Sequence, residues 1–208
     1  MNDQKIVIID YGMGNLRSVQ NKYNRLGAQT EISADITTIL EADKLVLPGV
    51  GNFAKGMHNL KEMGLVDILN KRVMEEKTPI HGICLGMQLF TRYSEEGSVD
   101  GLGWIDAQTL KFDFSDQSKD LKVPHMGWNN IYFDKKSQLT ENIEIENEFY
   151  FVHSYYVKCN DPNDSLTSTD YGIKFTSSIQ KENIFGTQFH PEKSHDLGAE
   201  IIKNFISI

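Results

Sequence analysis

The chain has 208 residues, 39% of them hydrophobic and 24% charged, and a formal net charge of −8. That length suits one domain that buries its own core without disulfides or metals. The acidic balance argues against a general binder of nucleic acid or anionic membrane, which needs basic surface to neutralise phosphates, and no apolar run approaches the ~20 residues of a membrane span.

Two cysteines, Cys84 and Cys159, are no disulfide framework, so a reducing cytoplasm is the expected location. Met1-Asn2-Asp3-Gln4 lacks the basic-then-apolar layout of a signal peptide.

In chain order, Lys5 to Asp10 (KIVIID) predicts a buried strand. Leu16 to Leu26 has helical spacing, and Gly27 stands where a helix stops. Lys44 to Leu47 predicts a second strand, followed by a Pro-Gly-x-Gly turn. An amphipathic stretch from Phe53 to Lys77 breaks near Gly64. Pro79 to Ile83 predicts a strand and Leu85 to Tyr93 a helix. Strands alternating with helices imply a parallel sheet. The second half reads differently: Trp104–Phe112, Asn129–Phe133, Glu148–Val157, Tyr171–Ile179 and Ile184–Phe189 predict strands, and Leu197–Ile206 a closing helix. Asp113 to Asp120 is the most loop-like segment. The expected fold class is α/β, a mostly parallel sheet flanked by helices, with additional antiparallel β structure in the second half and one domain over residues 1–208.

The strongest chemical signal is His81-Gly82-Ile83-Cys84-Leu85-Gly86-Met87-Gln88. Cys84 stands between two glycines where a strand meets a helix, the cysteine form of a nucleophile elbow. The turn strains the nucleophile's backbone, and the glycines remove Cβ clashes. The helix beginning at Leu85 points its positive end at the sulfur and favours the thiolate. The Leu85 N–H is a natural oxyanion donor. The bland alternative is a buried structural cysteine.

A nucleophilic thiol needs a base, and among six histidines His190 stands out in Gly186-Thr187-Gln188-Phe189-His190-Pro191-Glu192-Lys193-Ser194. It ends an apolar strand, where parallel-sheet sites collect. Glu192 follows two residues on, and in an extended chain would share its side and orient the ring. Leu47-Pro48-Gly49-Val50-Gly51-Asn52-Phe53 follows a strand, and its glycines allow close backbone approach to a ligand. The N–H of Val50 or Gly51 would complete an oxyanion hole with Leu85. The loop lacks the lysine and spacing of a P-loop.

PGVGNF, GICLGMQ and QFHPEKS, in this order, resemble the class I glutamine amidotransferases. DYGMGN, KVPHMGWN and YFVHSYY further resemble the glutaminase subunit of imidazole glycerol phosphate synthase, the HisH family. The similarity runs from Ile6 to Phe205. The resemblance implies that Cys84 forms a glutamyl thioester, His190 is base and then acid, and Glu192 orients it. It implies that Gly49 to Gly51 are the oxyanion strand, that Gln88 contacts glutamine, and that the backbone of Ser154 and Tyr155 holds the substrate's amino-acid end. It places Asn15, Met126, Trp128, Tyr150 and Lys193 near a partner interface and ammonia passage. The implied partner is a HisF-type (β/α)8-barrel cyclase that receives the ammonia. EEKTPIHGICLGMQLFTRYSEEG, GLGWIDAQTLKF and TSSIQKENIFGTQFHPEKSHDLG look somewhat like paralogues that serve surface-sugar amidotransferases, which would be an alternative partner. A Cys-His hydrolase of peptides or γ-glutamyl compounds and a non-catalytic scaffold are further alternatives.

No metal-ligand spacing, Walker loop or dinucleotide fingerprint is visible, so no cofactor and no metal site are expected. His81 is read as an edge-exposed or hydrogen-bonded histidine, His125 as shaping a tight turn, Trp128 as interface rather than core, Cys159 as incidental, and the Glu95-Glu96 pair as solvated surface.

Overall fold

The computed structural model describes residues 4–115, 121–144 and 147–208. The loop-like stretch expected from Asp113 lies mostly outside them, as do the first three residues of the N-terminus. The first half runs β1 Lys5–Ile9, α1 Leu16–Arg25, β2 Gln29–Ser33, α2 Ile36–Leu40, β3 Lys44–Gly49, α3 Phe53–Glu62, α4 Leu65–Asn70, β4 Ile80–Cys84 and α5 Leu85–Leu89. The second half runs β5 Tyr93–Ser94, β6 Val99–Asp100, β7 Ala107–Lys111, β8 His125–Asn130, β9 Tyr132–Phe133, β10 Glu148–His153, β11 Tyr155–Cys159, β12 Ser165–Tyr171, β13 Ile173–Lys181, β14 Ile184–Thr187 and α6 His195–Ser207.

The main sheet follows the order β2-β1-β3-β4-β14-β13-β11-β7-β5-β6, with β12 pairing β13 and β9 beside this path. From β2 to β14 every pairing is parallel, and from β14 to β11 and β7 every pairing is antiparallel. β8 and β10 form a separate antiparallel ribbon. The fold is therefore α/β, as the alternating first half and strand-rich second half imply.

The KIVII run is unbroken because β1 is buried on both faces. Val7 and Ile9 join the core that holds Leu45, Leu47, Leu85 and Phe90. Ile6 and Ile8 join the opposite core with Val46, Ile83, Phe189 and Phe205, which also holds Cys84. The nucleophile candidate thus sits on the α1 and α6 side of the sheet. No helix among the described residues is long and apolar enough to cross a membrane.

Three expectations need correction. The helix expected over Leu85–Tyr93 ends at Leu89. The returning loop captures its last carbonyls, Leu102 N donating to Leu89 O and Trp104 N and Ile105 N to Phe90 O, and Tyr93 is drawn into β5. The single strand expected over Glu148–Val157 is two, broken at Ser154 where the chain passes from the ribbon into the main sheet. The strand expected over Asn129–Phe133 is likewise divided between β8, which begins at His125, and β9. β2, α2 and most of β12 have no counterpart in the sequence reading.

Candidate active site

β3, β4 and β14 end side by side, and the register pairs Gly49 with Cys84 and Thr187 with Ile83. Three loops therefore leave the sheet at one edge, as expected where ligands collect in parallel sheets. Cys84 is the turning point between β4 and α5, with φ +54° and ψ −109°. A side-chain-bearing residue at such an angle is strained and persists only where its surroundings hold it. Gly86 explains part of that hold: a Cβ built there would stand 1.6 Å from the Leu47 carbonyl oxygen. At Gly82 it would stand 2.5 Å from the Phe90 ring. Gly86→Ala is expected to cost about 3 kcal/mol of stability, the upper end for overpacking, read as a lowered urea midpoint with unchanged slope.

The Cys84 thiol is buried, 4.0 Å from the Val152 carbonyl oxygen. The Gln188 side-chain amide donates to its sulfur at 3.6 Å. Cys84 opens on a cavity of about 300 Å³, whose lining includes Val50, Gly51, Leu85, Gln88, Ser154 and Tyr155. α5 is only five residues long, so its dipole is a small part of the electrostatics at the sulfur. His190 and the sulfur also influence each other through charge.

His190 and Glu192 side chains are 2% and 5% exposed, with Nδ1 and Oε1 2.9 Å apart. They do not meet as neighbours on an extended strand. Pro191–Lys193 is a 3₁₀ turn, and the turn folds the carboxylate back under the ring. Nε2 is buried and makes no hydrogen bond among the described residues, and the charge of the Cys84 sulfur acts on the ring. Burial alone would depress the imidazole, but the charge of the Cys84 sulfur, then the bond and charge of Glu192, prevail and push it up to about 10. The ring's backbone is pinned as well: His190 N donates to Tyr150 O at 2.9 Å, and Ser194 Oγ donates to His190 O at 2.7 Å.

Gln88 reaches back across the site. Its Nε2 donates to Tyr155 O and to Gln188 Oε1, both at 2.9 Å. Gly49 ends β3, Val50 and Gly51 follow it, and the last two line the cavity. The interface set falls into two groups. Trp128 and Met126 stand exposed on β8, Trp128 meets the Tyr150 ring edge-on at 5.9 Å, and Lys193 Nζ lies 5.6 Å over Tyr150. Asn15 is apart from these, capping α1 through Ser18 N at 3.2 Å.

Several side chains carry more than the sequence reading gave them. Glu96 lines the cavity and accepts from Phe53 N at 2.7 Å; Glu95 accepts from Lys111 N at 2.7 Å, so neither is merely solvated. Gln188 is buried against the sulfur. Its position two residues before His190, at a strand end, is the signal that places both near one edge. Of the two readings of His81, the hydrogen-bonded one holds and the edge-exposed one does not: it is fully buried, bonded to Tyr23 Oη at 2.9 Å and Thr187 Oγ1 at 3.3 Å, and burial pushes it down to about 3. His125 is buried rather than a turn former. Cys159 is half-buried at the end of β11, and burial pushes its thiol up to about 11. No group of three or more metal-binding side chains converges among the described residues.

The sequence matches the family described as glutamine amidotransferase class-I over residues 7–208. It is 53% identical to imidazole glycerol phosphate synthase subunit HisH 2 of Methanococcus maripaludis, across 97% of this chain and 98% of that one. It is 47% identical to the HisH 2 subunit of Pseudomonas aeruginosa, across 98% and 99%. Among solved structures, one described as glutamine amidotransferase superposes with a TM-score of 0.71 at 16% identity, covering 92% of this chain and 93% of that one. PurLQS from Thermotoga maritima gives 0.71 at 15%, covering 98% and 96%. These two speak to the fold; the family rests on the sequence matches. The chain belongs to the class I glutamine amidotransferases, in the HisH family of imidazole glycerol phosphate synthase subunits.

Proposed function

We propose that this chain is the glutaminase subunit of an imidazole glycerol phosphate synthase, hydrolysing L-glutamine to glutamate and ammonia at Cys84. The observation that carries the reading is the convergence of a strained Cys84, a buried His190 whose Nε2 is left unpaired among the described residues, and a Glu192 bonded to the other nitrogen of the ring. The sulfur attacks the side-chain amide carbon of glutamine. His190 hands its proton to the departing nitrogen, ammonia leaves, and a γ-glutamyl thioester remains. His190 then takes a proton from water, whose oxygen displaces the sulfur and releases glutamate. Glu192 keeps the ring in the tautomer this needs.

N–H groups of Leu85 and of the Gly49–Gly51 segment bind the oxyanion. Gln88 and the Ser154–Tyr155 backbone hold the amino-acid end of glutamine. The Glu96 carboxylate, half-buried at the cavity wall, suits the substrate's ammonium. Met126, Trp128, Tyr150 and Lys193 form the face that meets the partner, with Asn15 near the passage. That partner is a (β/α)8-barrel cyclase, which uses the ammonia to make imidazole glycerol phosphate and an aminoimidazole carboxamide ribotide in histidine biosynthesis. The near-full-length similarity to subunits of that synthase supports this partner.

The test mixes the purified chain with a barrel cyclase and measures glutamate release and cyclised product. Release alone is expected to be slow and to rise at least about tenfold with the cyclase, equivalent to about 1.4 kcal/mol of better-aligned transition-state contacts. Full-speed turnover alone, or a gain with a sugar amidotransferase and none with the cyclase, would overturn the assignment of partner.

A further inference from the structure

β8 and β10 bring His125 and His153 opposite each other in the antiparallel register. Both rings are buried, and His125 Nδ1 lies 3.0 Å from His153 Nε2. Their neighbours fix which nitrogen carries each proton. His153 Nδ1 is 2.8 Å from the Tyr155 carbonyl oxygen, and a carbonyl only accepts. His153 therefore holds its proton on Nδ1 and presents a bare Nε2. His125 must donate to it from Nδ1, which leaves its own Nε2 bare. That atom accepts from the Asn129 side-chain amide at 3.3 Å, which also donates to Asp170 O at 3.0 Å. One pair of neutral tautomers satisfies every contact.

The surroundings hold the rings in that state. His125 stacks on Tyr171 with centroids 4.0 Å apart and on Phe151 at 4.9 Å. Phe112 lies 5.3 Å from His153. Burial pushes His125 down to about 4 and His153 to about 3. Two charged imidazoles would point N–H at N–H.

The chain of donors continues beyond the pair. Tyr155 O also accepts from Gln88 Nε2, Gln88 Nε2 donates to Gln188 Oε1, and Gln188 Nε2 donates to the Cys84 sulfur. Hydrogen bonds thus run unbroken from Asn129, beside exposed Trp128 on β8, to the nucleophile. His153 itself lines the cavity, whereas His125 lies behind it.

We propose that the His125–His153 pair is a positioning device: by holding the Tyr155 carbonyl it sets both the turn that receives the amino-acid end of glutamine and the two amide side chains between that turn and Cys84. The proposal rests on glutamine hydrolysis at Cys84. His125 is a positioning residue acting through His153, so the test separates placement from stability. His125→Leu keeps apolar volume and removes the donor. His125→Asn returns an N–H close to the lost Nδ1. Both are assayed for glutamine hydrolysis with the cyclase present.

His125→Leu is expected to raise the KM for glutamine about tenfold, as for one hydrogen bond lost to a buried acceptor, while kcat falls less than about threefold. His125→Asn should return KM to within about threefold of native. An unchanged KM in the leucine variant, or equal damage in both, would overturn the proposal. Should the leucine variant fail to fold, nitrogen NMR of the native chain decides: protons on Nδ1 of both rings are expected, and a proton on Nε2 of either would overturn it. A native chain that does not hydrolyse glutamine would instead sink the functional reading, and the NMR result would stand apart from it.

Discussion

Cys84→Ala is expected to lower glutamate release by on the order of 10⁶-fold, the loss that follows removal of a nucleophile from a working triad. The reason lies in what else is present. No other described cysteine reaches the cavity: Cys159 is at the end of β11, with a thiol that burial holds near 11. The fold should persist. Cysteine and alanine carry the same Cβ through φ +54°, so the turn's strain is unchanged. What is lost is a 4.0 Å contact to Val152 O, the 3.6 Å bond from Gln188 and the sulfur's charge beside His190. The measurement is glutamate release with the cyclase present, beside thermal unfolding and labelling by an electrophilic glutamine analogue. A variant within tenfold of the native rate, or native chain labelled elsewhere than Cys84, would remove the thioester from the reaction.

The parts of this protein that were legible in sequence are those where one physical demand dominates. KIVII reads as a buried strand because β1 faces two cores and Ile6 to Ile9 must all be apolar. Cys84 between glycines reads as an elbow because Leu47 O and the Phe90 ring leave no room for side chains at Gly86 and Gly82. Where polar groups satisfy one another, the pattern goes silent. β12 is mostly serine and threonine, with Thr167, Ser168 and Thr169 buried. Their hydroxyls bond to Ser177, Ser178, Asp134 and Asn130 O across neighbouring elements. Such a strand has no hydrophobic period, and two of its partners, Asp134 and Asn130, precede it by more than thirty residues. Glu96 was hidden for the same reason: a glutamate is usually solvated, and only the fold brings it to Phe53 N and the cavity. The helix after Cys84 reads too long because local spacing cannot reveal a loop returning to take its carbonyls.

The second large effect is expected at Glu192. Glu192→Gln should lower kcat/KM by about 10²–10⁴-fold, the range for a displaced general base, with the fold retained. Its carboxylate accepts from His190 Nδ1 at 2.9 Å and so leaves Nε2 for the sulfur. An amide in that place can turn its NH₂ toward the ring, and the proton then moves to the nitrogen that must act as base. The other carboxylate oxygen is buried without a partner among the described residues, so nothing outside the pair compensates. The same change bears on stability. Burial depresses His190, and the Cys84 sulfur and Glu192 together raise it to about 10. A group raised on folding stabilises fully below its unfolded value, near 6.5, and that contribution disappears as pH climbs through about 10. Glu192→Gln removes one of the two raising influences and so shrinks the contribution. The gap in unfolding free energy between native and variant should therefore be widest near pH 6 and close toward pH 10, read by urea unfolding at both. A gap independent of pH would mean that Glu192 braces the turn without holding charge on His190, and the orienting role would pass to another group.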